Sequence, residues 1–345
     1  MVTSKARGRW AALLLAAVTP VVAELTLGNP PLRQAWLILL WVPIYGAGTV
    51  LVRELVRRAG RGWAAILLLG AAYGIVEEGL ALQALTSPTI YGVAGWAPRI
   101  LGLNSAYTEL NIPYHAVFSV ALPILLLDLI FPGLRRQPYL GRTGLVVAGV
   151  VFVLGAMLLR LTVTTSFDPG YQAPPEVLIG CLVAVALLAV VALRLTPRRP
   201  GPPSPVTAPA PVIAGGFGAV VAFGYLALLF PFGGAEHPAF TRGGWVVVPM
   251  VAAAVLAVAA GWLLSRWTTA DAWSDRHSLA LASGALVAHT AFGVIANGET
   301  LADRLSLAAL GVVMAGLLAL LGRRTRGWPI GFGHGAIDES TKGMK

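Results

Sequence analysis

The stretch WAAILLLGAAYGIVEEGLALQAL, residues 63–85, decides the fold. Residues 63–76 carry no charge at all. As a helix rising about 1.5 Å per residue, the stretch reaches roughly 35 Å, enough to cross a hydrocarbon core of about 30 Å. Into this run the sequence puts two adjacent acids, Glu77 and Glu78. A charge near the centre of a span costs about 2.5–3.5 kcal/mol on insertion scales, so such residues face a bundle interior or a wet cavity.

Comparable apolar runs flank this one on both sides. The spacing predicts ten spans: Trp10–Leu27, Gln34–Leu51, Trp63–Leu85, Ile112–Phe131, Gly144–Val163, Val177–Leu195, Val212–Phe230, Trp245–Trp267, Leu279–Asn297 and Leu305–Leu321. The composition agrees. Of 345 residues, 57% are hydrophobic and 12% are charged, about half the charged share of a soluble domain. Mean hydropathy is +0.77. The fold expected is an all-α polytopic transmembrane helix bundle in the cell membrane, with the lipid bilayer as its partner and no role for nucleic acid.

The formal charge of +10 fits that reading, because membrane proteins gather basic residues in cytoplasmic loops. With the N-terminus inside, twenty basic residues fall on the inner side, Lys5, Arg53, Arg57, Arg135, Arg198 and Arg323 among them. Five fall outside: Arg33, Arg99, Arg160, Arg242 and Arg304. Both termini are therefore expected to be cytoplasmic. Lys5, Arg7 and Arg9 precede an apolar run with no clear cleavage site, which reads as a retained first helix. The basic, Pro-rich segment TPRRPGPPSPVTAPAP, residues 196–211, reads as a semi-rigid linker. It divides a six-span block, 1–195, from a four-span block, 212–321, which a basic tail follows over 322–345. The single cysteine, Cys181, permits no intramolecular disulfide.

Polar residues inside spans are the main functional signal. Glu77 and Glu78 lie about 14 residues into their span, roughly 21 Å from its inner end. Gly70, Tyr73, Gly74, Glu77 and Ala81 share a helical stripe, and its small residues invite close approach by a neighbour. Two acids this close do not both ionise easily in a dry site, so one is expected to hold its proton. His115 is expected near the outer start of the fourth span and His289 near the middle of the ninth, with Asn297 about two turns further out. By depth alone these residues and Glu24 can border one outer-half cavity. At the inner side, Arg53 and Glu54 are placed just after the second span and Asp128 near the end of the fourth, as an ion pair or an anionic-lipid contact. His237, His277 and His334 are read as loop or tail residues without a role. The connection 87–113, with Tyr91, Trp96, Tyr107 and Glu109, is expected to roof the cavity.

The run Val76-Glu77-Glu78-Gly79-Leu80, followed by His115 and His289, resembles the CPBP group of intramembrane metalloproteases. That resemblance implies a glutamate that activates water, with His115 and His289 holding a divalent metal or an oxyanion. The departures are Leu82, Asn111 and Gly293, where the group has an arginine, an aromatic and an asparagine. The stretch from Pro43 to Leu85, continuing through Tyr114-His115 to Phe131-Pro132, also resembles bacterial multi-spanning membrane proteins of unassigned activity. Three classes stay open: a CPBP-like hydrolase, an ion- or proton-coupled transporter of a small solute, and a non-catalytic scaffold. Walker, CxxC, HExxH and GxSxG motifs are all absent from the sequence.

The charge distribution makes a topological prediction. A cysteine placed at Ser204 should react only from the cytoplasmic side, and one at Ser105 from outside. Labelling of the Ser204 variant by an impermeant reagent in intact cells would invert the topology.

Overall fold

A computed structural model describes residues 4–91, 98–198, 205–230 and 243–326. Among the described residues ten helices are long and apolar enough to cross a membrane. They are α1 (Ala6–Leu27), α2 (Leu32–Arg58), α3 (Trp63–Ala81), α4 (Ser105–Ile130), α5 (Arg142–Phe167), α6 (Pro175–Leu195), α7 (Pro211–Leu229), α8 (Gly244–Trp267), α9 (Asp275–Ala296) and α10 (Leu301–Arg324). One two-residue antiparallel ladder, Arg99–Ile100 against Leu103–Asn104, interrupts the connection between α3 and α4. Trp96, His237, Arg242, His334, residues 199–204 of the linker and the tail beyond 326 lie outside the described residues.

Burial sorts the helices into an inner set and an outer set. The most apolar window of α4 is 72% buried and that of α3 is 61%, against 11% for α6 and α10. Helices α1 to α4 and α9 thus form the interior, and the others present Val and Leu outward, as a lipid-facing layer requires. The two halves meet where α9 packs against the end of α1 and the C-terminal part of α4, while α7 and α10 lie against α9.

Glycine sets the closest approaches. A Cβ on Gly70 would sit 2.8 Å from Ala116 Cα, and one on Gly74 would meet the His115 side chain at 3.1 Å. The glycine stripe of α3 is thus the groove that receives α4. On the α2 side, Gly48 leaves room for the ring of Tyr73.

Three interior helices are not regular. Residues Val42–Gly46 in α2, Ile75–Ala81 in α3 and His115–Ala121 in α4 are π-helical. Pro43 lies in the first and Pro113 just before the third. Proline lacks the N–H that a regular helix needs and crowds the carbonyl one turn back, and a widened turn absorbs both defects.

Two span boundaries differ from the sequence reading by seven residues, against four or fewer at the others. Helix α2 runs on through Arg53 and Glu54 to Arg58, instead of stopping before these charges, because each charge is satisfied inside the protein. Arg53 is fully buried and donates to Asp128 Oδ1 at 3.0 Å, to Leu134 O at 2.9 Å and to Gln137 O at 3.1 Å. Its guanidinium lies 3.4 Å over the Tyr139 ring, and burial pushes the Tyr139 hydroxyl up to about 12. Glu54 accepts from the backbone N–H of Tyr139 at 2.5 Å and Arg57 pairs with Asp128 Oδ2 at 2.7 Å. This clasp ties the connection after α4 to α2. Helix α4 begins at Ser105, ahead of Ile112, because Asn104 caps it by accepting from Tyr107 N at 2.9 Å.

His277 is likewise a helix residue and not a loop residue. Its Nδ1 accepts from Ser274 N at 3.1 Å at the start of α9, so Nε2 carries the hydrogen donated to Pro209 O at 2.9 Å.

The glycine groove gives a stability prediction. Gly70→Val should lower stability by about 1–3 kcal/mol through overpacking against α4. Gly180→Val, at an exposed glycine with open space around it, should be close to neutral. Thermal unfolding in detergent compares the two, and equal losses would mean that β-branching rather than the groove is responsible.

Candidate functional site

The three π-helical segments converge. Glu77 and Glu78 come from that of α3, His115 and Ser119 from that of α4, and Tyr45 from that of α2. A π turn rotates the side chains that follow it relative to a regular helix, which lets adjacent residues turn inward together. Glu77 is 1% exposed, Glu78 4% and His115 2%.

Both carboxylates bracket one imidazole. His115 Nε2 lies 3.1 Å from Glu78 Oε1. On the opposite edge, His115 Nδ1 lies 2.9 Å from Ser119 Oγ and 3.4 Å from Glu77 Oε2. The second oxygen of Glu78 accepts from the Tyr107 hydroxyl at 3.0 Å. The rings of Tyr45 and Tyr73 stand with their centroids 6.2 and 5.8 Å from that of His115. The Tyr73 hydroxyl and Glu77 Oε2 are both buried, and the two side chains interact electrostatically.

Glu24, near the end of α1, belongs to the same cluster. Its Oε1 accepts from the Tyr45 hydroxyl at 2.6 Å, and Asn29 Nδ2 approaches Oε2 at 3.5 Å. Electrostatic coupling reaches from Glu24 to Glu77, Glu78 and His115. Among the described residues none of the three glutamates is paired with an arginine or lysine. Three acids beside one imidazole cannot all be ionised in a low-dielectric interior, so such a cluster holds protons.

His289 is placed differently. It is fully buried in α9 and stacks on Phe118, with centroids 4.3 Å apart, and more loosely on Tyr114. Nε2 meets the Tyr114 hydroxyl at 2.9 Å and Nδ1 meets Thr26 Oγ at 3.2 Å. The Tyr114 hydroxyl donates to Ala23 O, so Nε2 is the nitrogen that donates to Tyr114, while the Thr26 hydroxyl donates to Val22 O at 2.8 Å and lies beside Nδ1. The ring is a clamp that joins α9 to α1 and α4. Asn297 donates from Nδ2 to Leu27 O at 2.9 Å at the C-terminal end of α9.

The residues present do not fit the two-histidine metal site that the metalloprotease resemblance implies. Each ring nitrogen of His115 and of His289 already faces a protein group, and among the described residues no three His, Cys, Asp or Glu side chains gather as metal ligands. Cys181 lies elsewhere, against Gly79.

Some members were hard to read from sequence. Ser119 stands four residues after His115, a helical spacing that signals contact, and Tyr73 sits on the glutamate stripe. Tyr45 carries no such signal, since it reaches Glu24 from another helix, whereas Tyr107, expected in the roofing connection, reaches Glu78 from the first turn of α4.

Fold and site together define a polytopic α-helical membrane protein with a closed cluster of ionisable groups inside the bundle. The chain belongs to an uncharacterized membrane protein family, whose model matches residues 13–326. No curated protein and no solved structure matches it.

The two histidines should separate in experiment. His289→Phe removes a buried hydrogen-bonded clamp and should cost about 1–3 kcal/mol, because the Tyr114 and Thr26 hydroxyls lose a partner. The protonated-carboxyl infrared bands of the cluster should stay in place. In His115→Phe those bands should move or grow. A shift of the same bands in His289→Phe would join His289 to the cluster.

Proposed function

We propose that this protein is a proton-coupled transporter of a small solute in the cell membrane, and that Glu77, Glu78 and His115 take up and release the coupling proton. Glu24 is the fourth member of the cluster. The observation that carries this reading is the imidazole held between two buried carboxylates that, among the described residues, pair with no arginine or lysine. If all three glutamates were charged near mid-membrane, the cost on insertion scales would be about 8–10 kcal/mol, as large as a typical folding stability. Glutamine in the same places would avoid most of it, so a purely structural role gives no reason for acids here. Intramembrane acids and histidines in contact are the groups from which proton relays are built.

The cluster also has a polar continuation toward the inner side. Ser119 receives the Thr49 hydroxyl on its carbonyl oxygen at 2.7 Å, and Thr49 lies one turn before buried Arg53. In this reading both termini and the linker are cytoplasmic, the six-span block supplies the titrating groups and the four-span block closes the wall through α9. A CPBP-like hydrolase is less well supported, because the clamp on His289 leaves no second histidine beside the glutamates.

Purified protein in liposomes tests the proposal. An imposed solute gradient should drive proton movement reported by an internal pH dye. Glu77→Gln, Glu78→Gln and His115→Ala should each reduce it by more than tenfold, and the double variants should lose little more, since the three act as one unit. Full proton movement in all three single variants would sink the proposal. Hydrolysis of a membrane-embedded peptide that these variants abolish would move the protein to the hydrolase class.

A further inference from the structure

The proton-binding cluster is closed to solvent, so a solute must first dock elsewhere. A polar cleft of about 250 Å³ opens at the outer ends of α1 and α9. One wall is Gly28, Asn29 and Pro31, and the other is Asn297, Gly298 and Glu299. We infer that this cleft is the outer binding site for a small organic ammonium cation, and that Asn29 stands between the bound cation and Glu24.

The chemistry of the walls selects the ligand. In a carboxamide the oxygen and nitrogen lie on opposite sides of the carbon that bears them. Asn297 turns Nδ2 to Leu27 O, and Asn29 turns Nδ2 to Glu24. Each acceptor fixes the amide orientation, so each Oδ1 faces the other way. Glu299 spends Oε2 on Arg33 at 2.6 Å and keeps Oε1. The cleft thus offers two amide oxygens and a carboxylate oxygen, a set that matches the three N–H donors of a primary ammonium group.

Two arginines adjoin the site and both are occupied. Arg33 is held by Glu299 and Asp303, and Arg304 donates from Nε to Gly298 O at 2.9 Å. The volume also discriminates: a water molecule's share of the liquid is about 30 Å³, so a bare ion would leave most of the cleft to solvent, whereas an ammonium with a three-carbon chain takes up roughly half of it. Behind Asn29 the Glu24 carboxylate adds negative charge on the path inward, and Tyr45 links Glu24 to the rest of the cluster. A cation arriving at Glu24 would favour release of a proton from the cluster, which is the linkage that coupled exchange requires.

The purpose assigned to the cleft rests on the transport reading, but its occupancy is measured without transport. Purified protein in nanodiscs is titrated calorimetrically with n-propylammonium, with sodium and with propionate. The expected result is saturable n-propylammonium binding that weakens at least tenfold in Glu299→Gln. That side chain is 69% exposed, and Arg33 keeps Asp303, so the variant folds. Asn297→Ala should weaken binding as well, while Glu176→Gln, at an exposed acid of α6 outside both the cleft and the cluster, should leave it within twofold. The inference is overturned if n-propylammonium does not bind, if Glu299→Gln binds it unchanged, if propionate binds as tightly, or if sodium displaces it at equal concentration. Binding that depends on Glu299 in a protein that moves no protons would leave the cleft standing and remove the transport reading.

Discussion

The contact of His115 with Glu77 on one edge and Glu78 on the other is the constraint around which the bundle interior is arranged. Inside a membrane no water is at hand to share a charge, so every ionisable group must find its partner within the protein. Here the partners come from four helices. Helix α3 brings the acids, α4 the imidazole, Ser119 and Tyr107, α2 the Tyr45 hydroxyl, and α1 Glu24. None of these helices can shift along its neighbours without leaving a buried polar group exposed to hydrocarbon.

That demand accounts for the irregular backbone. A regular α3 would turn Glu77 and Glu78 about 100° apart, with one nearer the lipid than the other. The π-helical segment widens the turn, and the glycines before it let α4 close in until His115 reaches both acids. A widened turn costs hydrogen-bond geometry, and proteins keep such turns where side-chain placement matters more than helical regularity.

The buried polar groups form two layers that obey different rules. In the layer beside the connection after α4, Arg53 and Arg57 face Asp128, and Glu54 takes backbone N–H groups, so each charge has an opposite charge or a donor. A layer of this kind is a permanent staple. In the layer around His115 acids outnumber bases three to one among the cluster's ionisable groups. A layer of this kind can change its charge state by exchanging protons, and the cleft at the C-terminal ends of α1 and α9 adjoins it through Asn29 and Glu24.

The sequence by itself determined that this is a membrane bundle of about ten spans, because twenty-residue apolar runs cannot stay in water and a helix satisfies its own backbone in lipid. It also marked Glu24, Glu77, Glu78, His115 and His289 as the positions to watch, since ionisable residues in apolar runs stand out against their surroundings. Only the tertiary structure decided which of these meet. Depth along a helix can be counted from residue numbers, but the direction in which a side chain points across the bundle depends on helix rotation, and three π-helical segments alter that rotation. His289 has nearly the depth of the glutamates, yet it faces Thr26 and Tyr114. Arg53 and Glu54 look like the end of a span in sequence because charge ordinarily marks the interface, and they lie inside a helix because Asp128 and the backbone after α4 pair with them. Pairings between residues seventy or more positions apart are set by packing of whole helices, and no local pattern in the chain encodes them.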